Sequence, residues 1–186
     1  MSSFGCNDFY FATENRTAMD QDLAEKTVSQ LKKSGIDFVT YLPETRLSRL
    51  LPILEKDDFF KLVAVASEAE AVTIASGAAL VGKRPACYME ATGLFVCSYN
   101  LLLVSMRLGI PLLLLISHVG NMADQKNSFR FAPTGVRTEE QLKALNIEYQ
   151  VLATQKDLST GITDGVRMMH ALKQPFALLF TGDFTV

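Results

Sequence analysis

Residues 60–81 read FKLVAVASEAEAVTIASGAALV, and this segment changes character at Ser67. The run over residues 62–66 is apolar and rich in valine but too short for a helix, which predicts a buried parallel strand. Ser67 then supplies a capping hydroxyl, and Glu68 and Glu70 supply the acidic first turn of an alanine-rich helix. A carboxylate therefore lies where a strand ends and a helix begins. Ligands of open α/β sheets bind at this edge, so Glu68 is the first candidate for a functional residue.

Strand and helix patterns alternate along the chain on both sides of this segment. Short apolar runs predict strands at residues 36–42, 62–66, 85–89, 110–117, 147–152 and 176–181. Amphipathic or capped segments predict helices at residues 20–33, 43–54, 67–81, 92–108, 138–145 and 156–172. Because no hairpin signal joins two strands, we expect an α/β fold with a three-layer αβα arrangement and a six-stranded, mainly parallel sheet.

The N-terminal sequence and the composition indicate the domain organisation and the cellular compartment of the protein. Residues 1–18 lack sustained periodicity and predict a flexible N-terminal arm, followed by a single domain over residues 19–186. The N-terminus has neither the basic start nor the apolar core of a signal peptide. Three cysteines without metal-like spacing argue against a disulfide framework, and we expect a cytoplasmic protein.

Two classes of partner are disfavoured by the same sequence. A net charge of −2 gives no electrostatic footprint for nucleic acid or for an acidic membrane surface. The long apolar region over residues 94–116 is interrupted by Arg107, Gly109 and Pro111, so it predicts a helix and a strand rather than a membrane span.

Four segments of the chain carry a family resemblance: GIDFVTYLPET at residues 35–45, VASEAEAVTIASGAAL at 65–80, ACYMEATGL at 86–94 and RLGIPLLLLISHVG at 107–120. Together they resemble the pyrimidine-binding (Pyr) domain of thiamine-diphosphate enzymes. Within that superfamily the chain is similar to the sulfopyruvate decarboxylase alpha subunit and phosphonopyruvate decarboxylase family. The resemblance implies the alpha subunit of a two-chain, thiamine-diphosphate-dependent 2-oxo acid decarboxylase that is active only with its partner.

The resemblance also implies how the cofactor would be shared. In the family a glutamate at the position of Glu68 shares a proton with the aminopyrimidine ring and so activates the cofactor. The diphosphate is held through Mg²⁺ by a Gly-Asp-Gly motif, which this sequence lacks; its nearest segment is TGDF at residues 181–184. We therefore expect a separate diphosphate-binding (PP-domain) beta subunit, together with self-association through Pyr domains. The alternatives are a subunit of a split carboligase, or a non-catalytic binding or regulatory module in which Glu68 only caps its helix.

Further candidates lie at the ends of other predicted strands. On the resemblance, we expect Pro43 and Thr92 to contact the cofactor and Thr45 to contact the substrate. The alternative for residues 43–45 is ordinary turn and helix-capping chemistry. The family carries an amide and a serine where this chain has Glu90 and Thr92, which is a departure from its pattern.

The polar segment over residues 118–133 is long for a compact α/β domain and is a candidate binding loop. We expect it to be mobile in the isolated chain and to supply His118 and Arg130 to an anionic 2-oxo acid substrate. The alternatives are a satisfied structural histidine and a solvated loop cation.

Overall fold

Six parallel strands form one sheet in the order β2-β1-β3-β4-β6-β5 in the computed structural model, which describes residues 19–124 and 129–185. The predicted N-terminal arm at residues 1–18 lies outside the described residues. The strands are β1 Phe38–Tyr41, β2 Lys61–Ala64, β3 Pro85–Glu90, β4 Leu112–Ser117, β5 Glu148–Leu152 and β6 Pro175–Phe180. The predicted parallel sheet is confirmed, with strand ends that differ by a few residues from those expected.

Helices cover both faces of the sheet. They are α1 Gln21–Lys33, α2 Leu50–Glu55, α3 Glu68–Leu80, α4 Ala91–Asn100, α5 Ala132–Gly135, α6 Thr138–Ala144 and α7 Leu158–Leu172. Helices α1, α2 and α7 pack on one side, and α3, α4 and α6 on the other. Alternate residues of each buried strand therefore serve different cores: Leu113 and Leu115 of β4 join the first, and Leu114 and Ile116 join the second.

Two predicted helices differ from the structure. The helix expected from residue 43 begins at Leu50, because the carboxylate of Glu44 accepts hydrogen bonds from the backbone N–H groups of Arg46 and Leu47 and holds these residues in a turn. The helix expected over residues 92–108 continues beyond Asn100 as a π-helix, Leu101–Met106. No helix among the described residues is long and apolar enough to cross a membrane.

The strand order reverses direction at two places, and each reversal opens a crevice at the carboxyl ends of the strands. The first lies between β1 and β3, since the chain leaves β1 for the edge strand β2 and returns on the other side. The second lies between β4 and β6, since the chain passes first to the opposite edge strand, β5. Ligands of open α/β sheets bind at such crevices.

Candidate active site

Glu68 is the first residue of α3 and lies at the edge of the β1/β3 crevice. Ser67 caps the helix by accepting a hydrogen bond from the backbone N–H of Glu70 at 3.3 Å. The half-buried side chain of Glu68 lies against Gly93 in the first turn of α4. A Cβ atom at position 93 would come within 2.6 Å of Glu68 Oε1 and 2.7 Å of its Cδ. Glycine at this position is therefore what allows the glutamate to lie across the start of α4.

Glu44 follows β1 and connects three strands. Its carboxylate accepts hydrogen bonds from the backbone N–H groups of Arg46 and Leu47 at 2.7 and 2.6 Å. The same carboxylate accepts from the hydroxyls of Tyr88 in β3 at 2.6 Å and Ser117 in β4 at 3.0 Å. Four donors thus engage this carboxylate, so Glu44 shapes the crevice rather than offering a free ligand to it.

Tyr88 is buried beneath this turn. Burial raises the pKa of the Tyr88 phenol far above its ordinary value, and the neighbouring Glu44 carboxylate raises it further. The hydroxyl is therefore a fixed donor to Glu44 and is not suited to proton transfer near neutral pH.

Glu90 is the last residue of β3, and its half-buried carboxyl group accepts a hydrogen bond from Thr92 Oγ1 at 2.9 Å. Burial raises the pKa of Glu90, and the nearby carboxylates of Glu44 and Glu68 add to this effect. Three acidic side chains therefore meet at the β1/β3 crevice.

The structure brings four of the six predicted site residues to this edge of the sheet. Pro43 and Thr45 are exposed on either side of Glu44, and Thr92 lies beside Glu68 at the start of α4. Their contacts with a cofactor or a substrate stay predictions.

His118 and Arg130 belong to the segment that follows β4, at the second crevice. Arg130 is exposed in a 3₁₀ helix, Phe129–Phe131, and its guanidinium carbon lies 5.2 Å from the centre of the Phe131 ring. This segment folds back on itself, so that Gly120 lies against the backbone of Ala132. A Cβ atom at position 120 would be 2.8 Å from the backbone nitrogen of Ala132. Residues 125–128, part of the predicted mobile loop, lie outside the described residues.

His118 is buried, and its Nε2 atom lies 2.8 Å from the carbonyl oxygen of Gly135, to which it donates. Its Nδ1 atom has no hydrogen-bond partner in the part of the chain that the structure describes. Burial lowers the pKa of His118, so the neutral ring is favoured. The ring lines a pocket of about 320 Å³ with Asn121, Glu139 and Thr181. A substrate contact of His118, which stays a prediction, requires access through this pocket.

Sequence reasoning missed a buried ion pair that joins the two crevices. Arg46 Nη2 lies 3.7 Å from Asp124 Oδ1, and both side chains are buried. Arg46 Nη1 also donates to the carbonyl oxygen of Thr185 at 3.3 Å, and Asp124 Oδ2 accepts from the backbone N–H of Gly120 at 2.8 Å. Arg46 thereby holds the loop after β4 and the last described residue beside the turn that carries Glu44. Arginine is usually exposed, so no pattern in the sequence indicated this burial.

Within residues 19–124 and 129–185, no group of three or more His, Cys, Asp or Glu side chains is arranged to hold a metal ion.

The fold defines the class of protein, an α/β domain with an open parallel sheet, and ligands of this class bind at the carboxyl ends of the strands. Residues 21–133 match the family model described as thiamine pyrophosphate enzyme, N-terminal TPP binding domain. The chain belongs to this family, and its resemblance to Pyr-domain subunits is confirmed.

Curated relatives cover most of the chain. It is 31% identical over 150 residues to sulfopyruvate decarboxylase subunit alpha of Methanocaldococcus jannaschii, which covers 81% of this chain and 88% of that protein. It is 27% identical over 156 residues to the protein of the same name from Methanococcus maripaludis, covering 84% and 92% of the two chains.

A solved structure supports the same fold. The 2-oxoglutarate:ferredoxin oxidoreductase of Magnetococcus marinus superposes with a TM-score of 0.62 at 16% identity. The superposition covers 88% of this chain and 29% of that longer protein.

Proposed function

We propose that this chain is the alpha subunit of a two-chain, thiamine-diphosphate-dependent decarboxylase of 2-oxo acids, in which Glu68 contacts the aminopyrimidine ring. The observation that carries the proposal is the placement of Glu68 across Gly93 at the β1/β3 crevice, in a chain of the thiamine pyrophosphate enzyme family. The names of the curated relatives, sulfopyruvate decarboxylase subunit alpha, support the reaction type and the need for a second subunit.

The residues at the crevice fit one end of the cofactor. Thiamine diphosphate, when bound, supplies a nucleophilic carbon that adds to the keto carbon of the substrate and an electron sink for the loss of CO₂. Glu68 would hold a proton between its carboxylate and a ring nitrogen of the pyrimidine. Gly93 leaves room for that carboxylate, and the four hydrogen bonds of Glu44 keep the turn with Pro43 and Thr45 in place.

The other end of the cofactor would be held by the partner. The described residues offer no cluster of ligands for Mg²⁺, and the sequence has no Gly-Asp-Gly motif followed by paired asparagines. A separate beta subunit would therefore bind the diphosphate and its metal ion, and the assembled site would lie between the two chains.

An exposed apolar surface supports this assembly. On α4 and the π-helix that follows it, the side chains of Val96 and Tyr99 are 56% and 69% exposed, and Leu102 and Leu103 are exposed beside them. A patch of this kind marks an interaction surface on a protein.

Gly77 lies in the neighbouring helix α3 and also indicates an interface on this side of the molecule. A Cβ atom at this exposed position would meet nothing within 4 Å, so the chain's own packing does not require glycine there. Glycine inside a helix costs about 1 kcal/mol relative to alanine, and close approach of another chain is a physical reason to retain it. We include in the proposal contact with both the beta subunit and a second alpha subunit through α3 and α4.

The test is reconstitution with a diphosphate-binding chain, thiamine diphosphate and Mg²⁺ and a panel of 2-oxo acids that includes sulfopyruvate and phosphonopyruvate. We expect Glu68→Gln and Glu68→Ala to abolish decarboxylation while each variant stays folded, with the loss in kcat. Glu70→Gln is the matched control, because Glu70 lies in the same helical turn and, among the residues that the structure describes, accepts only from the backbone N–H of Ala66, at 2.8 Å. An unchanged rate in Glu68→Ala would refute the assignment.

The same assay addresses the loop and the fate of the substrate. Substituting His118 and Arg130 one at a time should raise KM or lower kcat for an anionic substrate, and no effect from either would remove both from the site. Analysis of the product distinguishes simple decarboxylation, which gives an aldehyde, from carboligation, which gives a hydroxyketone.

A further inference from the structure

A pocket of about 320 Å³ lies at the second crevice, apart from the β1/β3 crevice that the proposed cofactor site uses. Its lining residues come from the loop after β4, from β5, from the residue after β6 and from the start of α6. Apolar side chains and a few polar groups line it together, which is the usual composition of a small-molecule site.

His118 brings an unpartnered hydrogen-bond acceptor to this pocket. The residue is 1% exposed, and its Nε2 atom lies 2.8 Å from the carbonyl oxygen of Gly135, which also lines the pocket. A carbonyl oxygen only accepts, so Nε2 carries the proton and Nδ1 of the neutral ring keeps a lone pair. Nδ1 has no hydrogen-bond partner within residues 19–124 and 129–185. Because buried acceptors are nearly always satisfied, a donor from a ligand in the pocket is a physical reason for this one.

The other polar side chains of the lining favour the same kind of ligand. Glu139 is half-buried, and its Oε2 atom accepts from the Tyr149 hydroxyl at 2.8 Å, which leaves Oε1 able to accept. Thr181 Oγ1 donates to Asn121 Oδ1 at 3.1 Å, so it offers its lone pairs to a ligand. No Lys or Arg is among the described residues that line the pocket. Three acceptors and one negative charge outweigh the Asn121 amide nitrogen, so the polar part of the pocket favours a cation that donates.

The remaining lining fits a short hydrocarbon chain. It is made of Val136 and Val151, with Met122 and Ala123 beside them. Met122 is 99% exposed and Val136 is 53% exposed. A water molecule could donate to His118 Nδ1, but it would neither cover these apolar side chains nor balance the charge of Glu139.

We propose that this pocket binds a small primary amine in its ammonium form. The ammonium group donates to His118 Nδ1, Glu139 and Thr181, and the hydrocarbon part contacts Val136 and Val151. The inference goes beyond the proposed function, because this site needs neither thiamine diphosphate nor a 2-oxo acid. A 2-oxo acid anion has no donor for Nδ1 and is repelled by Glu139. The predicted substrate contact of His118 and this inference therefore require ligands of opposite charge.

The test follows His118 by NMR in the full chain, with ¹⁵N in its histidine rings. The chain has two histidines, so His170→Gln identifies the signals of His118, and the exposed His170 of the wild type is the internal control. At about pH 8 a histidine with the ordinary pKa of 6.5 is neutral and an alkyl amine is protonated. Propylammonium is added to about 0.1 M at constant ionic strength, since a ligand of so few atoms binds with a Kd of about 1 mM or weaker. We expect Nδ1 of His118 to start as an unprotonated nitrogen and to shift to saturation, while His170 stays unchanged.

Matched variants and ligands test each part of the contact. Glu139→Gln keeps the shape of the side chain and removes its charge, so it should weaken binding about 10-fold or more. Glu140→Gln, at the exposed next position of α6, should bind as the wild type does. Propanol lacks the charge and tetramethylammonium lacks the N–H groups, and we expect neither to match the shift that propylammonium gives.

Four results would overturn the inference. They are a proton on Nδ1, an Nδ1 signal that propylammonium does not move, an equal shift with propanol or tetramethylammonium, and a shift with pyruvate instead. The same signal is recorded after the diphosphate-binding chain is added; saturation by that chain without amine would also overturn the small-ligand site, because a partner side chain would then occupy the pocket. None of these measurements involves turnover, so a failure to decarboxylate any 2-oxo acid would refute the proposed function and not this site.

Discussion

Replacing Gly93 by alanine should displace the side chain of Glu68 and lower the catalytic rate, while the free energy of unfolding of the domain changes little. The added Cβ atom would overlap Glu68 Cγ most severely and would stand 2.6 Å from Oε1 and 2.7 Å from Cδ, so the glutamate must move by about 1 Å to reach the 3.4 Å of an ordinary contact. Because the side chain of Glu68 is flexible and half-buried, it can give way without disrupting the core. A misplacement of about 1 Å at a catalytic group costs about 100-fold in rate, which corresponds to about 2.8 kcal/mol.

The free energy of unfolding should change much less. Crowding costs about 1–3 kcal/mol in a packed site, and the gain in helix propensity on replacing glycine returns about 1 kcal/mol. We expect the isolated Gly93→Ala chain to stay within about 2 kcal/mol of the wild type in urea unfolding. Gly77→Ala is the matched control, because its Cβ atom enters open space, and this isolated chain should be stabilised by about 0.5–1 kcal/mol.

The decisive assay compares the free energy of unfolding of the isolated chain in two backgrounds. Glu68→Ala removes the side-chain atoms that a Cβ atom at position 93 would meet. If Gly93 acts by making room for Glu68, adding Gly93→Ala should cost the wild type about 1–3 kcal/mol more than it costs Glu68→Ala. Equal losses in both backgrounds, or a wild-type rate in Gly93→Ala, would refute the reasoning.

Three further perturbations test other contacts. Glu44→Ala should lower the free energy of unfolding by about 2–4 kcal/mol, because it removes the acceptor of four donors, one of them the buried Tyr88 hydroxyl. Glu55→Ala is the exposed control in the same urea titration. A loss below about 1 kcal/mol in Glu44→Ala would contradict this account of Glu44. Burial lowers the pKa of His118 in the folded chain, so below the ordinary value of 6.5 the unfolded chain takes up a proton first and stability falls as the pH drops. Burial, and then the nearby Arg84, also lower the pKa of His170, although this residue lies at an exposed position. His118→Gln should therefore weaken the pH dependence more than His170→Gln does, and identical pH profiles for wild type and His118→Gln would be the contrary result. Tyr99→Asp should leave the isolated chain folded and prevent its assembly in light scattering, whereas Met168→Asp, on the opposite layer, should assemble normally; assembly of Tyr99→Asp would exclude this face of α4.

The sheet could be predicted because its strands are short, apolar runs separated by helical patterns. In β4 every residue is buried, and a run of four leucines with an isoleucine shows this directly in the sequence. The predicted start of the second helix was wrong because Pro43, Glu44 and Thr45 are typical of a helix start, whereas the Glu44 carboxylate binds the backbone N–H groups of the residues that follow and holds them in a turn. The π-helix was not predicted from the sequence; within it Ser105 contacts Ser76 of α3 at 2.8 Å, a tertiary contact that a periodic pattern does not show.

A site residue could be predicted only where its immediate neighbours in the sequence indicate its position in the fold. Glu68 follows a capping serine at the end of a strand, which the sequence shows. The hydrogen bonds to the Glu44 carboxylate depend on strand register, since β3 and β4 bring Tyr88 and Ser117 to the same group. Gly93 matters because of a side chain 25 residues earlier in the sequence. Such contacts between distant segments leave no periodic trace in a single sequence.

The position of β6 has a consequence for how the chain is made. It is the last of the described strands along the chain, yet it pairs with β4 on one side and β5 on the other, in the interior of the sheet. During synthesis, β4 has only β3 as a neighbour until residues 175–180 leave the ribosome, and its other edge, apolar except at Ser117, is of the kind that recruits other chains. Premature termination before β6 would therefore yield a fragment prone to aggregation.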